Sequence, residues 1–153
     1  MAKAVPDGFH TVTPHLVVKD CAKAIEFYKK AFGAVVRRLH LTPDGKSVMH
    51  VDLQIGDSIV MMNDDFRGGA ASPISEGGGS ANCTMHIYSG NVDALWKSAV
   101  EAGATVKMPL ADQFWGDRYG MLTDPYGHNW SLAAHIADPT EQEMAEAAKS
   151  MGM

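Results

Sequence analysis

The same order of predicted elements occurs twice along this chain, about 70 residues apart. In the first copy, the strand that ends in Thr13-Pro14-His15-Leu16-Val17-Val18 leads into a helix, and three more strands follow. In the second copy, Thr84-Met85-His86-Ile87-Tyr88 leads into a helix and again three strands. A chain of 153 residues has the length of one ordinary domain. The repeat therefore predicts an α+β domain made of two βαβββ modules.

Three stretches have the apolar periodicity of helices. The first covers Asp20–Phe32, where Asp20 suits the N-cap and Gly33 the position after the last turn. The second covers Val92–Ala102, between Asn91 and Gly103. The third, Thr140–Ser150, has little apolar surface and is predicted to be a peripheral C-terminal helix.

The remaining strands are predicted from alternation and turn residues. Lys46–Ile55 alternates strictly, which predicts Val48, His50, Asp52 and Gln54 on one face. The other predicted strands are Thr11–Val18, Ala34–Leu41, Ser58–Met62, Cys83–Tyr88, Thr105–Met108, Tyr119–Thr123 and His128–His135.

Charge and composition exclude several functions. The net charge of -5 argues against nucleic acid as a partner. No apolar run approaches the roughly 20 residues of a membrane span, and the first ten residues do not resemble a signal peptide. Cys21 and Cys83 lie in apolar-periodic stretches and are expected to be reduced core residues of a cytoplasmic protein.

The module boundaries follow from these elements. Module one is expected at about residues 10–66, module two at about 81–136, and the C-terminal helix at about 138–150. Between the modules, residues 67–80 contain Gly68-Gly69 and Gly77-Gly78-Gly79. They suit either a phosphate-binding loop or a flexible linker. The linker is favoured, because no Lys-Ser/Thr follows and no strand-to-helix context surrounds the glycines.

Several segments carry a resemblance to a known family. They are Thr13–Val18, Ala24–Ala34, Val92–Trp96, Ala102–Ala104 and Asp124–Leu132, and with them the chain resembles the vicinal oxygen chelate superfamily of glyoxalase I, bleomycin-resistance proteins, fosfomycin-resistance enzymes and extradiol dioxygenases. Asp112–Gly120 resembles its PhnB-like branch. The resemblance implies that the two modules form one curved mixed sheet with both main helices on its convex side. It also implies a homodimer.

The metal enzymes of that superfamily take ligands from the first and fourth strand of each module. The resemblance places these positions at Thr13, Met61, Thr84 and Ser131. His or Gln, Glu, His and Glu are expected there, and neither a thioether nor a neutral hydroxyl replaces a carboxylate ligand. We therefore expect no metal at these positions, no other cofactor, and no glyoxalase I activity.

Three histidines are expected on the concave face of the sheet. His15 and His86 lie two residues beyond Thr13 and Thr84, and His50 shares its face with Asp52. These histidines suit a displaced metal site, hydrogen-bonded structural roles, or direct contact with a ligand. Histidine side chains in general titrate near neutrality, so any of the three could serve as an acid or a base.

A second group of candidates precedes the seventh predicted strand. Arg118 suits an anionic group of a ligand, and Trp115 and Tyr119 suit its flat part. Alternatively, Asp117 and Arg118 form a surface pair. Trp130 is expected in the core, and His128, in a turn, is expected to be solvated.

Two functions remain open from the sequence. The first is a binder of a small molecule in a concave-sheet cavity without the usual metal, with His15, His50, His86, Trp115, Arg118 and Tyr119 as ligand-binding residues. The second is an enzyme of isomerase, lyase or dioxygenase type that uses the cavity histidines, with or without a relocated divalent metal.

Overall fold

The computed structural model describes residues 2–73 and 81–153 and has the predicted element order. Module one contains β1 His15–Val18, α1 Cys21–Phe32, β2 Val35–Leu41, β3 Val48–Ile55 and β4 Ser58–Asp64. Module two contains β5 Thr84–Tyr88, α2 Val92–Ala102, β6 Thr105–Asp112, β7 Asp117–Thr123 and β8 Asn129–His135, and α3 Glu141–Ser150 follows. The two βαβββ modules are thus confirmed.

The helix ends follow the predicted residues. Asp20 accepts a hydrogen bond from the backbone N–H of Lys23, and Gly33 ends α1 with φ of 68°, a conformation that favours glycine. Gly103 ends α2 in the same region. Asn91 precedes α2, but its side chain makes no capping bond. Thr140 caps α3 by accepting from the N–H of Glu143 at 3.1 Å.

The strands form two four-stranded mixed sheets with the orders β1-β4-β3-β2 and β5-β8-β7-β6. In each sheet the first strand is parallel to its neighbour and the other pairs are antiparallel. This result differs from the expectation that the two modules form one curved mixed sheet. Within the described residues, β1 and β5 are edge strands of separate sheets, and no ladder joins them.

One core serves both modules. Helices α1 and α2 pack against each other and against the sheets. Trp130 is 2% exposed and lies within this core, as predicted. Cys21 is also buried as expected, whereas the expectation for Cys83 is wrong because this residue is exposed, just before β5.

A register irregularity changes the prediction for β3. Leu41 pairs with Val48 and His40 pairs with His50, so that Met49 is an extra residue. Val48 is consequently buried in the core and Met49 is exposed. The predicted placement of Val48 beside His50 is therefore wrong, whereas His50 and Asp52 do share a face.

The described part of the linker is held to module two. The carboxylate of Asp65 accepts hydrogen bonds from four successive backbone N–H groups, those of residues 67–70. These bonds, that of Ala70 foremost, lower the pKa of Asp65. A Cβ at Gly127 would lie 2.3 Å from the carbonyl oxygen of Ser72, so the linker passes directly over the β7–β8 turn. Gly77-Gly78-Gly79 lies outside the described residues.

None of the helices in the described parts of the chain combines the length and apolar character that crossing a membrane requires.

Candidate functional site

Each sheet has a face that the helices do not cover, and we call it the open face. In module one, Leu16, Val51 and Met62 face the helices and are buried. Their neighbours along the strands alternate onto the open face. By the observed register this face carries His15, Arg38, His50, Asp52, Met61 and Asn63 in module one, and Thr84, His86, Tyr88, Asp117, Tyr119, Ser131 and His135 in module two.

Four rings form a continuous row on the open face of module two. The ring centroids of Trp115 and Tyr119 are 5.4 Å apart, and those of Tyr119 and His86 are 5.9 Å apart with nearly parallel planes. The ring of Tyr88 follows at 4.5 Å from His86. We call these residues the aromatic row. Three of the four, namely His86, Trp115 and Tyr119, were predicted from the sequence to contact a ligand.

The carboxylate of Asp117 holds this row in place from its buried position. It accepts hydrogen bonds from the Tyr88 hydroxyl at 3.3 Å and from His135 Nδ1 at 2.8 Å. The hydrogen bond of His135, followed by those of Tyr88 and Trp115, lowers the pKa of Asp117 against the opposing effect of desolvation. One buried carboxylate thus contacts both ends of the row.

His135 joins this network to Asp138. Its Nε2 lies 2.8 Å from Asp138 Oδ1, while its Nδ1 faces Asp117. The two carboxylates, Asp138 foremost, raise the pKa of His135. His135 could not be selected from the sequence alone, because its two partners come from β7 and from the segment after β8.

Gly116 fixes the position of Trp115 in the turn between β6 and β7. A Cβ at Gly116 would lie 2.1 Å from the carbonyl oxygen of Ala137, so only glycine fits here. The carbonyl of Gly116 also accepts from the N–H groups of Ile136 and Ala137. The turn that carries Trp115 is therefore packed directly against the segment that leads to α3.

A polar cluster occupies the open face of module one. His50 Nε2 lies 2.6 Å from Asp52 Oδ1, and Arg38 Nε lies 3.2 Å from Asp52 Oδ2. His15 hydrogen-bonds to Asn63, and its ring is 5.9 Å from that of His50. Asp52 is buried, so its charge is compensated by partners from two strands. The predicted pair His15 and His50 is therefore brought together.

Arg118 lies apart from the aromatic row. Strand β7 begins at Asp117, two residues earlier than predicted, so Arg118 and Tyr119 point to opposite faces. The guanidinium binds Asp93 at 2.8 Å and Asp112 at 3.1 Å on the helix side. The expected surface pair with Asp117 is thus replaced by pairs with two other carboxylates.

The expectation that His128 is solvated is wrong. His128 is nearly buried, and its Nε2 lies 3.1 Å from the carbonyl oxygen of Val17. The sequence motif around it, Asp124-Pro125-Tyr126-Gly127, is organised by Asp124. This carboxylate accepts from the N–H groups of Tyr126 and His128 and from Trp130 Nε1.

The residues at the superfamily's ligand positions do not fit a divalent metal. The β-ladder register places His15 beside Met61 and His86 beside Ser131. Ser131 Oγ lies 2.6 Å from His86 Nδ1, so these two side chains form a hydrogen bond with each other and not a set of metal ligands. His86 lies on a different sheet from His15 and His50. Across residues 2–73 and 81–153, no group of three or more His, Cys, Asp or Glu side chains is placed to hold a metal ion.

Comparison with known proteins agrees with the fold. Residues 8–132 match the family model of the Glyoxalase/Bleomycin resistance protein/Dioxygenase superfamily. The chain belongs to this superfamily. Members share the paired modules described above but differ in chemistry, so membership alone does not assign a reaction.

Proteins similar to this chain come from several bacteria. The uncharacterized protein Mb0911c of Mycobacterium bovis is 44% identical over 145 residues, which cover 92% of this chain and 93% of that protein. The crystal structure of TioX from Micromonospora sp. ML1 is similar with a TM-score of 0.64 and 26% identity, over 83% of this chain and 99% of that one. A PhnB protein from Bacillus cereus has the same fold, with a TM-score of 0.61 and 16% identity over 82% and 99% of the two chains.

Proposed function

We propose that this superfamily member binds a flat small molecule on the open face of module two, without a metal at the superfamily's ligand positions. The aromatic row is the observation that carries the proposal. Rings at centroid separations of 4.5–5.9 Å offer a flat ligand several faces and edges to stack against. The side chains of the row are only partly buried, so their faces are available to a ligand.

Polar groups beside the row would orient the ligand. His86 has one nitrogen engaged by Ser131, which leaves Nε2 as a donor or acceptor for a ligand. The Tyr88 hydroxyl is held by Asp117, and Tyr88 is itself 64% exposed. An apolar surface with a few fixed polar groups is typical of small-molecule sites.

A homodimer is part of this proposal, since a second copy would help to enclose an open face. Two exposed apolar side chains on the edge strand β2 support it. Leu39 and Leu41, whose β3 partners Val51 and Val48 place them on one face, are 45% and 48% exposed and offer a second copy an apolar contact. Light scattering after gel filtration should give twice the chain mass, and Leu39→Lys should shift the protein towards the monomer. A wild-type monomer would remove this part of the proposal.

A thermal-shift screen of aromatic small molecules, run with EDTA and in parallel with divalent metals, tests the proposed function. A ligand that binds the folded state raises the melting temperature by mass action. We expect stabilisation in EDTA that Tyr119→Ala or His86→Ala reduces and that His40→Ala, on the other module, leaves unchanged. Stabilisation only in the presence of metal would contradict the proposal.

The enzyme alternative has an observation of its own. In module one, Asp52 fixes the Nε2 of His50 and leaves Nδ1 for proton transfer, an arrangement suited to general acid–base catalysis. If a compound found in the screen is consumed, and His50→Gln slows its consumption at least a hundredfold, the open face of module one is catalytic. That result would contradict a function limited to binding and would assign the protein as an enzyme.

A further inference from the structure

A cleft between the modules is not explained by the aromatic row. It has a volume of about 610 Å³ and lies between module one, at residues 55–60 and the segment before β1, and module two, at β5 and the first half of α2. Its apolar lining includes Phe32, Ile55, Val60, Met85, Ile87, Leu95 and Trp130. Phe32 and Trp130 are 7% and 2% exposed, so they form a recessed floor.

Comparison of the two modules shows that corresponding apolar positions are less covered in module two, where they line the cleft. When the repeat is aligned on its two first strands, Leu16 corresponds to Ile87 and Ala24 to Leu95. Leu16 and Ala24 are buried, whereas Ile87 and Leu95 are only half-buried. Module two therefore leaves apolar side chains uncovered at positions that module one closes, which is unfavourable unless something occupies the space.

The charge of the lining restricts the occupant. Among the described lining residues there is no Lys or Arg, the one carboxylate is that of Asp57, and the two histidines are His10 and His86. An anion would thus find no permanently charged cation. Hydroxyl groups of Thr13, Ser58 and Ser89 also line the cleft and could hydrogen-bond to a neutral polar group.

We propose that this cleft is a second binding site, for a compact, uncharged and mainly apolar molecule. Its volume lies within the range of about 300–1,000 Å³ that is usual for small-molecule sites. The cleft and the aromatic row lie on the two sides of strand β5. Met85 and Ile87 point towards the helix side and the cleft, whereas His86 and Tyr88 point to the open face and are the two members of the row that also border the cleft. The proposal does not rest on the proposed function, because neither Tyr119 nor Trp115 lines the cleft.

A small molecule fits the recess better than the surface of a second copy. The floor residues Phe32 and Trp130 are already almost inaccessible, so a broad protein surface would cover the rim and leave the recess empty. A second copy as the occupant is nevertheless a distinct outcome of the test below.

The probe is N-phenyl-1-naphthylamine, an uncharged apolar dye that fluoresces more strongly when it leaves water. We expect saturable binding of one dye per chain to the full-length protein. Leu95→Trp fills the cleft from α2 and should weaken binding at least tenfold. Val100→Trp places the same ring at an exposed position of the same helix and should leave binding unchanged. Tyr119→Ala should also leave dye binding unchanged, which separates this site from the aromatic row.

Each variant is first checked by thermal melting, and Leu95→Phe, a smaller filling change, replaces Leu95→Trp if the latter does not fold. Absence of saturable binding, equal loss in the Leu95 and Val100 variants, or loss in Tyr119→Ala would overturn the proposal. Dye binding that appears only when dilution separates a dimer into monomers would assign the cleft to a second copy and would also overturn it.

Discussion

The hydroxyl of Tyr28, on α1 of module one, donates a hydrogen bond to the carboxylate of Asp124, in the β7–β8 turn of module two. Both residues are 1% exposed. Burial, and then the charge and hydrogen bond of Asp124, raise the pKa of Tyr28 well above its usual value, so that it stays a donor. The same carboxylate oxygen accepts from Trp130 Nε1 at 2.8 Å, which links the two modules through one buried acceptor.

Tyr28→Phe should destabilise the protein without changing its fold. Removal of the hydroxyl leaves a buried carboxylate with one donor fewer, which costs about 1–3 kcal/mol. Urea denaturation followed by circular dichroism gives the free energy of unfolding. Tyr126→Phe is the matched control, since Tyr126 is only half-buried and its hydroxyl donates to none of the described residues, and we expect a change within about 0.5 kcal/mol. Equal effects of the two substitutions would contradict the role given to Asp124.

Gly120→Ala should also be destabilising, because α2 lies against β7 at this point. An added Cβ would be 2.5 Å from Cζ3 of Trp96 and 3.0 Å from Cα of Leu110. We expect a loss of about 1–3 kcal/mol in the free energy of unfolding. Gly90→Ala, where a Cβ meets nothing within 4 Å, is the control. In the background of Trp96→Leu the cost of Gly120→Ala should decrease, and a cost that stays the same would show that Trp96 is not the obstacle.

The network around His135 should make stability depend on pH. Asp138 first, and Asp117 second, raise the pKa of His135 in the folded state above its usual 6.5. Its contribution is therefore fully present below about pH 6.5 and is lost as the pH rises through the raised pKa. The difference in unfolding free energy between the wild type and His135→Gln should shrink as the pH rises above about 6.5. Asp138→Asn should weaken this dependence, and a difference that grows with pH would contradict the assignment.

The two cysteines should differ in reactivity. Burial, followed by the charges of Asp64 and Asp20, raises the pKa of Cys21 to about 12, so that it remains an unreactive thiol at neutral pH. Cys83 is exposed. With Ellman's reagent, one thiol per native chain should react quickly and the second only after unfolding. Cys83→Ser should abolish the fast reaction, and a fast reaction that persists in this variant would place Cys21 at the surface.

The two modules could be predicted from the sequence because the apolar periodicities of their helices and strands are strong. Apolar spacing and capping residues placed α1 and α2 to within one residue, and alternation placed His50 with Asp52. The bulge at Met49 could not be predicted, since a bulge depends on the opposing strand β2 and not on β3 alone. Cys83 was misplaced for a similar reason, because apolar neighbours do not show whether a strand end is covered.

The predicted start of strand β7 determined whether Arg118 was counted among the site residues. Had β7 been taken to begin at Asp117, alternation alone would have placed Arg118 opposite Tyr119. Asp117 and His135 were missed as supports of the aromatic row because their contact joins residues on different strands. Such pairs depend on register, which a single sequence specifies only weakly.

Calorimetric titration of a ligand found in the thermal-shift screen, in EDTA, tests the central claim most directly. The wild type should bind one ligand per chain without metal, and Tyr119→Ala should weaken binding about tenfold, or about 1.4 kcal/mol. His40→Ala should leave the affinity unchanged. Binding that requires a divalent metal, or an affinity that Tyr119→Ala and His86→Ala both leave unchanged, would contradict a metal-independent site on the aromatic row.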